Sequence, residues 1–340
     1  MAPPSSSSLE TLLGRLLGPM REWFCARVHL APRLLEAKDD KALPRVVVAQ
    51  ALNLVLLARS ISEVPDLARY MDERVGEAQG RRLILDHGAV RSVRSQKHGD
   101  LPSGQLAFTR FLEPLGYYEA ALYPLPALRM QGHAWRHRDL PEDVAQYFVS
   151  ELEPEAFSPP FQRALERVIS TSKDPLSDGS RESLNALSEE GSIGIDEAHA
   201  LVDNLVACFA RQHCPPAWSD YEVLLRESAE MAWISTEGHT FNHATDRVPD
   251  VVGLADELRA LGRPLKESVE HSGAGSVRQT AFKAVMVWRP FRDADGGQVL
   301  KVVPGSFFEL ISRDRHPEDG GLDLRFDASN AQGIFAMTRR

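Results

Sequence analysis

The chain has 340 residues, a formal net charge of −9, 43% hydrophobic residues and 26% charged residues. This composition is ordinary for a soluble globular protein, and the length permits one to three domains. The negative charge argues against a nucleic-acid partner, because phosphate groups require a basic binding surface. The three cysteines fit neither a disulfide framework nor a zinc knuckle, so a reducing, cytoplasmic location is expected.

The N-terminus and the most apolar run of the chain both argue against a membrane partner. Residues 1–10, MAPPSSSSLE, lack the basic and apolar regions of a secretory signal and predict a disordered tail. The run from Val46 to Ala58 has 13 residues, fewer than the roughly 20 that a helix needs to cross a bilayer. We therefore predict a buried helix in this run.

Hydrophobic spacing divides the rest of the chain into alternating helical and β-rich parts. Helical periodicity covers about 11–80 and about 140–230, the second of which begins with LPEDVAQYFVSELE. Aromatic and β-branched residues between Gly and Pro turns favour strands in about 83–135 and 232–340. We expect residues 11–340 to form a single α+β domain, whose mixed or antiparallel sheet combines two distant parts of the chain.

Several segments within the β-rich parts carry more specific predictions. QLAFTRFLEPLGY and the segment from Thr236 to Ala244 are expected to be extended. TAFKAVMVWRPF, GGQVLKVVP and GSFFELISR are expected to be successive strands, joined by DADGG and Pro-Gly turns. VPDVVGLADELRALG is expected to be an amphipathic helix that Gly262 closes.

Two histidines four residues apart, His239 and His243, stand in the stretch EGHTFNHATDRV. Residues i and i+4 share a face in a strand and in a helix, so the spacing leaves open which imidazole faces a ligand. A metal bound here would need further ligands, and His87 and Glu309 are candidates. Two histidines and one carboxylate form the facial triad that binds non-haem Fe(II) and leaves positions open for substrate and oxygen.

Glu309 lies in GSFFELISR, both of whose faces are largely apolar if the segment is a strand. An ionised carboxylate buried there would need a cation or would take up a proton. A metal ion is one such cation. The alternatives are a salt bridge to Arg289 or Arg313, or an edge position in solvent.

His87 and Arg91 share a face at i,i+4 whether their segment is a helix or a strand. A metal bound by the imidazole could hold one end of an anionic substrate while the planar guanidinium binds a carboxylate. The pattern alone favours the alternative of a surface histidine and a solvated arginine.

Other polar residues give weaker signals. His133 and His137 lie in QGHAWRHRDL, which we interpret as a polar loop entering a helix, with both imidazoles on the surface. The Gly/Ser-rich stretch EHSGAGSVRQTAFKA favours a simple turn or a flexible active-site loop over a phosphate cradle. Gln279, just after this loop, could point into a pocket.

Five motifs together resemble the 2-oxoadipate dioxygenase/decarboxylase family, which is related to the glyoxalase-like vicinal oxygen chelate superfamily. They occur in the family's order from about residue 83 to the C-terminus, and they are LDHGAVRSV, EGHTFNHATDRV, SVRQTAFKA, SFFELISR and FDASNAQGIFAMT. The resemblance implies a vicinal oxygen chelate-like mixed sheet, or half-barrel, around a metal site, with substantial helical additions.

The resemblance also implies a set of site residues. The metal ligands fall on His87, on His243 in preference to His239, and on Glu309, and the family's substrate-binding arginine falls on Arg91. The C-terminal motif lines the substrate site in the family, and here it carries Ser329 and Asn330 where a Val-Ser pair is usual. The residues that could recognise a distal carboxylate are Arg278, Gln279 and Asn330.

The implied activity is that of an Fe(II) enzyme, with Zn, Ni or Mn possible in place of iron. It would convert 2-oxoadipate and O2 into 2-hydroxyglutarate and CO2, a step of lysine catabolism in the family. Two alternatives stay open: a glyoxalase-type isomerase or hydrolase that uses Zn or Ni, and a non-catalytic module that binds a metal or a small acid. The sequence does not predict the oligomeric state.

Overall fold

The computed structural model of the chain describes residues 6–327. Its α-helices are α1 (Ser8–Leu17), α2 (Arg21–Arg27), α3 (Arg45–Glu63), α4 (Pro65–Arg74), α5 (Leu106–Leu112), α6 (Pro159–Ile169), α7 (Asp178–Glu190), α8 (Ile195–Cys208), α9 (Trp218–Glu227), α10 (Ala229–Glu237) and α11 (Val251–Ala260). Its strands are β1 (Leu43–Pro44), β2 (Leu85–Val93), β3 (Tyr117–Leu125), β4 (Met130–His137), β5 (Gln146–Leu152), β6 (Ser192–Ile193), β7 (His243–Arg247), β8 (Glu270–His271), β9 (Val277–Ala281), β10 (Met286–Arg292), β11 (Gln298–Pro304) and β12 (Phe307–Arg313).

An open, curled sheet of eight strands in the order β3-β4-β5-β2-β7-β12-β9-β8 forms a half-barrel. At its centre, β2 pairs in parallel with β5 and antiparallel with β7. Strand β12 pairs in parallel with β7 and antiparallel with β9. The sheet therefore joins the early and late β-rich parts of the chain, which confirms the predicted α+β half-barrel.

Helix α3 contains the most apolar run of the chain. It is the one helix within residues 6–327 that is long and apolar enough to cross a membrane, but 72% of that stretch is buried inside the fold. Its buried side chains include Val48, Leu52 and Leu57, which belong to the larger hydrophobic core. The predicted buried helix is confirmed.

Helix α11 and strands β11 and β12 follow the predicted pattern, but TAFKAVMVWRPF is not a single strand, because β9 ends within it at Ala281 and β10 begins at Met286. Strands β10 and β11 form a separate antiparallel hairpin around the DADGG turn. One side of the hairpin packs into the core through Phe291, whose ring lies 5.0 Å from that of Trp218. Just after α11, Gly262 has a φ of +72°, a left-handed conformation that favours glycine at the end of a helix.

Three predictions of local structure were wrong because apolar spacing was ambiguous in short segments. LPEDVAQYFVSELE contains β5, so the part from 140 to 230 is not helical throughout. Every residue of β5 is buried, and a strand that is buried on both faces loses its alternating pattern. QLAFTRFLEPLGY begins with helix α5, and the segment from Thr236 to Ala244 begins in helix α10 and becomes a strand at His243.

The predicted tail and the predicted polar loop also differ from the structure. Helix α1 begins at Ser8, inside the predicted tail 1–10, because Ser7 and Glu10 form a capping box. QGHAWRHRDL contains strand β4, in which both histidines are buried. Their burial is compensated by hydrogen bonds, from His133 to Glu119 and from His137 to the carbonyl oxygen of Leu115.

Candidate metal centre

Three neighbouring strands, β2, β7 and β12, carry the candidate ligands. Thr245 of β7 is paired with His87 of β2 on one side and with Glu309 of β12 on the other, so these side chains stand in a row on one face of the sheet. His243 precedes Thr245 by two residues and therefore shares that face. The register of the sheet thus brings together residues from opposite ends of the chain.

The three predicted ligands lie within reach of one cation. Nε2 of His243 is 3.1 Å from Oε2 of Glu309, and Nε2 of His87 is 3.9 Å from the same oxygen. One candidate ligand atom from each residue lies within 4.8 Å of the others. The side chains are almost inaccessible to solvent, with relative exposures of 3% for His87, 5% for His243 and 0% for Glu309.

The chemistry of this group fits a divalent metal ion. Among the described residues, Oε1 of the buried Glu309 has no hydrogen-bond partner, which is costly for a carboxylate oxygen. Burial lowers the pKa of His243, although Glu309 acts in the opposite direction, and a neutral imidazole is the form that binds a metal. The alternative salt-bridge partners are engaged elsewhere, Arg289 with Glu237 and Arg313 with Asp86.

Asp86 orients the imidazole of His87. A β-bulge interrupts the pairing of β2 and β7 between Leu85 and His87, and it frees Asp86 from the regular alternation of the strand. Oδ1 of Asp86 lies 2.8 Å from Nδ1 of His87. Burial acts to raise the pKa of Asp86, but Arg313 and His87 outweigh it and hold this pKa well below its usual range. Asp86 is therefore an ionised acceptor.

The second imidazole is held by its neighbours along the chain and across the strand pair. Nδ1 of His243 lies 3.2 Å from Oδ1 of Asn242, and its ring stacks on Phe307 at 4.8 Å. The hydroxyl of Thr245 lies 3.1 Å from Nε2 of His87 and donates a longer bond of 3.5 Å to Oε2 of Glu309. Each candidate ligand thus has a defined orientation.

A small cavity opens onto this group. The guanidinium of Arg91 lies in its wall, 4.8 Å above the ring of Trp233, and the arginine is only 1% exposed. The cavity therefore combines a candidate metal centre, one buried cation and apolar walls. Its lining residues are His87, Ala89, Val90, Arg91, Phe148, Ser150, Asn242, His243, Gln279, Phe326 and Asp327.

Of the remaining predicted site residues, one lines the cavity. Gln279 and Arg278 are neighbours on β9 and therefore point to opposite faces of the sheet. Gln279 is buried and lines the cavity. Its neighbour Arg278 points to the opposite face, where it forms an ion pair with Asp314, so the structure does not bring it to the site. His239 contacts His98 instead of the candidate ligands. Asn330 lies outside the described residues.

Sequence reasoning missed several residues that shape the site. Asp86 and Asn242 directly precede the two histidines, and these Asp-His and Asn-His pairs could have signalled orienting partners. Phe148 was missed because its segment was predicted to be helical. Phe326, whose ring packs against both His87 and Phe148 at 4.9 Å, opens the motif FDASNAQGIFAMT, but only Ser329 and Asn330 of that motif were considered as site residues.

Comparison with known proteins decides which family this fold and site represent. Residues 48–314 match the family model of the 2-oxoadipate dioxygenase/decarboxylase. The chain belongs to the 2-oxoadipate dioxygenase/decarboxylase family. The resemblance is therefore confirmed over most of the chain, in a match that includes the first four of the five motifs.

Members of the 2-oxoadipate dioxygenase/decarboxylase family occur in bacteria and plants. The protein of that name from Mycobacterium tuberculosis strain H37Rv is 27% identical over 245 residues, which cover 66% of this chain and 59% of the relative. The chloroplastic protein of Arabidopsis thaliana is 27% identical over 148 residues, covering 36% of this chain and 38% of that one. This chain thus spans about three fifths of the mycobacterial relative that it matches.

Solved structures share the fold of this family member. A crystal structure assigned to the glyoxalase superfamily, from Ralstonia eutropha JMP134, is 46% identical with a TM-score of 0.90, covering 94% of this chain and 98% of that one. The hydroxyglutarate synthase of Oryza sativa, solved in complex with 2-oxoadipate, is 20% identical with a TM-score of 0.66 and covers 88% and 95% of the two chains. This second likeness shows the fold alone.

Proposed function

We propose that this protein is an Fe(II)-dependent dioxygenase/decarboxylase that converts 2-oxoadipate and O2 into 2-hydroxyglutarate and CO2. The observation that carries the proposal is the convergence of His87, His243 and Glu309 beside a cavity whose wall also contains Arg91. Family membership and the 2-oxoadipate bound by the rice relative support the choice of substrate class.

The two imidazoles and the carboxylate would hold the metal ion on one side. Bound there, Fe(II) would supply redox chemistry towards O2 and open coordination positions for a 2-oxo acid. Asp86 accepts a hydrogen bond from Nδ1 of His87 and so leaves its Nε2 lone pair available for the metal. Thr245 would keep Oε2 of Glu309 oriented through its hydroxyl.

The rest of the cavity would bind the acid and exclude water. Arg91 would bind a substrate carboxylate, because its planar guanidinium matches the two oxygens of that group. Gln279 would donate or accept a hydrogen bond near the same substrate. Phe148 and Phe326 close the apolar side of the cavity and would keep solvent from the reacting centre.

Oxygen consumption with a panel of 2-oxo acids tests the proposal. The protein is purified without chelators, analysed for metals, loaded anaerobically with Fe(II) and given 2-oxoadipate under air. We expect O2 consumed, CO2 released and 2-hydroxyglutarate formed in a 1:1:1 ratio, as the balanced reaction requires. Glu309→Gln serves as the control variant, and turnover of 2-oxoadipate without oxygen uptake would contradict the proposal.

A glyoxalase-type isomerase or hydrolase is the second candidate, because a 46% identical structure is assigned to the glyoxalase superfamily. The same His-His-Glu set suits Zn and Ni as well as Fe(II). This function predicts turnover of an oxo-acid or thioester substrate under anaerobic conditions with Zn or Ni bound. The oxygen electrode separates the two candidates in one experiment.

We also propose a cytoplasmic location and a role in lysine catabolism. The three cysteines, Cys25, Cys208 and Cys214, are all free thiols, which is typical of a reducing compartment. The proposed substrate and the resemblance to the family support the pathway. Growth of a deletion strain on lysine as the nitrogen or carbon source tests it.

A further inference from the structure

Arg313 contacts two separate parts of the candidate metal centre through one buried guanidinium. Its Nε and Nη2 atoms donate hydrogen bonds of 2.8 to 3.1 Å to the carboxylate of Asp86. Its Nη1 atom donates to the backbone carbonyl oxygens of Asp323 and Arg325, at 2.9 and 2.7 Å. The side chain has no exposed surface, so these bonds are not replaced by water.

The first contact controls the imidazole of His87. Oδ1 of Asp86, which Arg313 holds, is also the atom that lies 2.8 Å from Nδ1 of His87. An ionised carboxylate only accepts hydrogen bonds, so Nδ1 carries the proton. In a neutral imidazole this leaves Nε2 unprotonated on the side of Glu309, where a metal ion would lie.

The second contact holds residues 323–326, which we call the cover segment. Its last residue, Phe326, lies edge-on to the ring of His87 at 4.9 Å and receives the guanidinium of Arg313 at 5.3 Å from its centroid. The side chain of Asp323 accepts a bond of 2.7 Å from Ser276. The cover segment therefore packs over the same imidazole that Asp86 orients.

We propose that Arg313 is a positioning residue that assembles the metal site and its cover together, by holding Asp86 against His87 and the cover segment above it. The proposal rests on the proposed function only in requiring that the site bind a metal ion. Replacing the guanidinium of Arg313 would then weaken metal binding and loosen the cover segment at the same time. A lysine at this position keeps the charge but cannot form the planar, bidentate pair.

A second ion pair in the chain provides a matched control. Arg110 forms the same type of two-bonded pair with Asp174, at 2.6 and 2.7 Å, and both side chains are largely buried. Asp174 contacts Arg181 and the backbone of Leu176, and neither is a candidate metal ligand. Arg110→Lys thus perturbs a comparable pair without touching the orientation of His87.

The affinity of the full chain for Co(II), an oxygen-stable probe, is the main test. Asp86→Asn and Arg313→Lys are expected to weaken Co(II) binding about 10- to 100-fold, the range typical of residues that orient metal ligands. Arg110→Lys is expected to stay within threefold of the parent protein. A purely structural role would lower the melting temperature of all three variants and leave the Co(II) affinity unchanged.

Limited trypsin digestion reports on the cover segment without any metal. Arg325 is 62% exposed, and the bond after it leads directly into Phe326. We expect cleavage at this bond to be several-fold faster in Asp86→Asn and Arg313→Lys than in Arg110→Lys. Equal cleavage rates in the three variants would show that the Asp86–Arg313 pair does not hold the cover segment in place, which would overturn the proposal.

A double variant guards against misfolding, because removing one member of a buried ion pair is strongly destabilising. Asp86→Leu/Arg313→Met removes both charges, and circular dichroism and thermal melting should show a folded protein that binds Co(II) weakly. A folded double variant, or a folded Arg313→Lys, with Co(II) affinity within threefold of the parent would overturn the proposal. If the variants weaken Co(II) binding as expected but the parent protein consumes no oxygen with 2-oxo acids, the proposed reaction is rejected and the role of Arg313 is retained.

Discussion

Two groups of buried histidines in this protein have opposite chemical characters. One is the pair at the candidate metal centre, His87 and His243. The other, which we call the histidine cluster, comprises His98, His213 and His239. In the cluster, the rings of His98 and His239 lie 5.9 Å apart, and Nε2 of His213 donates to the carbonyl oxygen of Ser235.

Burial lowers the pKa of four of these histidines, but only one of the two groups includes a carboxylate. Burial lowers the pKa of His98 and His213 to about 4, lowers that of His239 well below its usual value, and also lowers that of His243. Within residues 6–327, only the metal-centre pair is joined by a carboxylate to give three candidate ligands within 4.8 Å. In these two groups, a buried histidine is therefore a candidate metal ligand only where the sheet also brings a carboxylate beside it.

The largest expected effect is a difference in Co(II) affinity between a variant of Glu309 and a variant of His239 in the histidine cluster. Glu309→Gln removes the only negative charge among the three candidate ligands, so Co(II) affinity should fall more than about 100-fold, beyond the range for orienting partners. His239→Gln should leave Co(II) affinity within threefold, because its imidazole faces His98 and Phe108. Calorimetric titration of both variants measures this contrast. Metal loss in His239→Gln would move the site to the cluster.

The next effect concerns the buried cation in the cavity wall. Arg91→Met should raise KM for the 2-oxo acid about 10- to 100-fold, because a charge-assisted hydrogen bond contributes roughly 1.5–3 kcal/mol. Metal content should not change, since Arg91 is not a candidate ligand. Steady-state oxygen uptake and metal analysis test this, with Arg110→Lys as the control. An unchanged KM together with a lower metal content would assign Arg91 to the metal site.

The histidine cluster is expected to make the free energy of unfolding depend on pH, and His213 is the residue that tests this. Because the pKa of His213 is about 4 in the folded chain and about 6.5 in the unfolded chain, the unfolded state binds more protons between these values. The stabilisation is therefore present above pH 6.5 and is lost as the pH falls towards 4. The loss amounts to about 1 kcal/mol by pH 5.5 for this histidine.

Urea unfolding of the metal-free protein at pH 7.5 and pH 5.5 measures this loss. His213→Gln should be less stable at pH 7.5, because it loses the bond to Ser235, but its stability should fall by about 1 kcal/mol less on acidification. An identical pH dependence in the two proteins would show that His213 already carries a proton in the folded state.

The smallest expected effect concerns the hydroxyl between the ligands. Thr245→Val keeps the shape of the side chain but removes its contacts with His87 and Glu309. One of these contacts is long, at 3.5 Å, so we expect Co(II) affinity to fall only about two- to fivefold, as for a single weak hydrogen bond. A loss as large as that in Glu309→Gln would mean that Thr245 is itself a ligand.

The sequence by itself determined the kinds of chemistry available and most of the elements that carry them. The buried helix α3 and the late strands β11 and β12 follow directly from apolar periodicity. The motifs around His87, His243 and Glu309 were sufficient to identify the family. These features are local, because the spacing of apolar residues within one segment indicates which face of a helix or strand is buried.

Only the tertiary structure decided how these elements meet. The spacing of His239 and His243 left the two imidazoles equivalent, and the sheet brings only His243, which the family motif had favoured, into the row beside Glu309. The tertiary structure also paired Asp86 with Arg313, which are 227 positions apart. Strand order and register depend on contacts between distant parts of the chain, and the periodicity of a single segment contains no record of its partner.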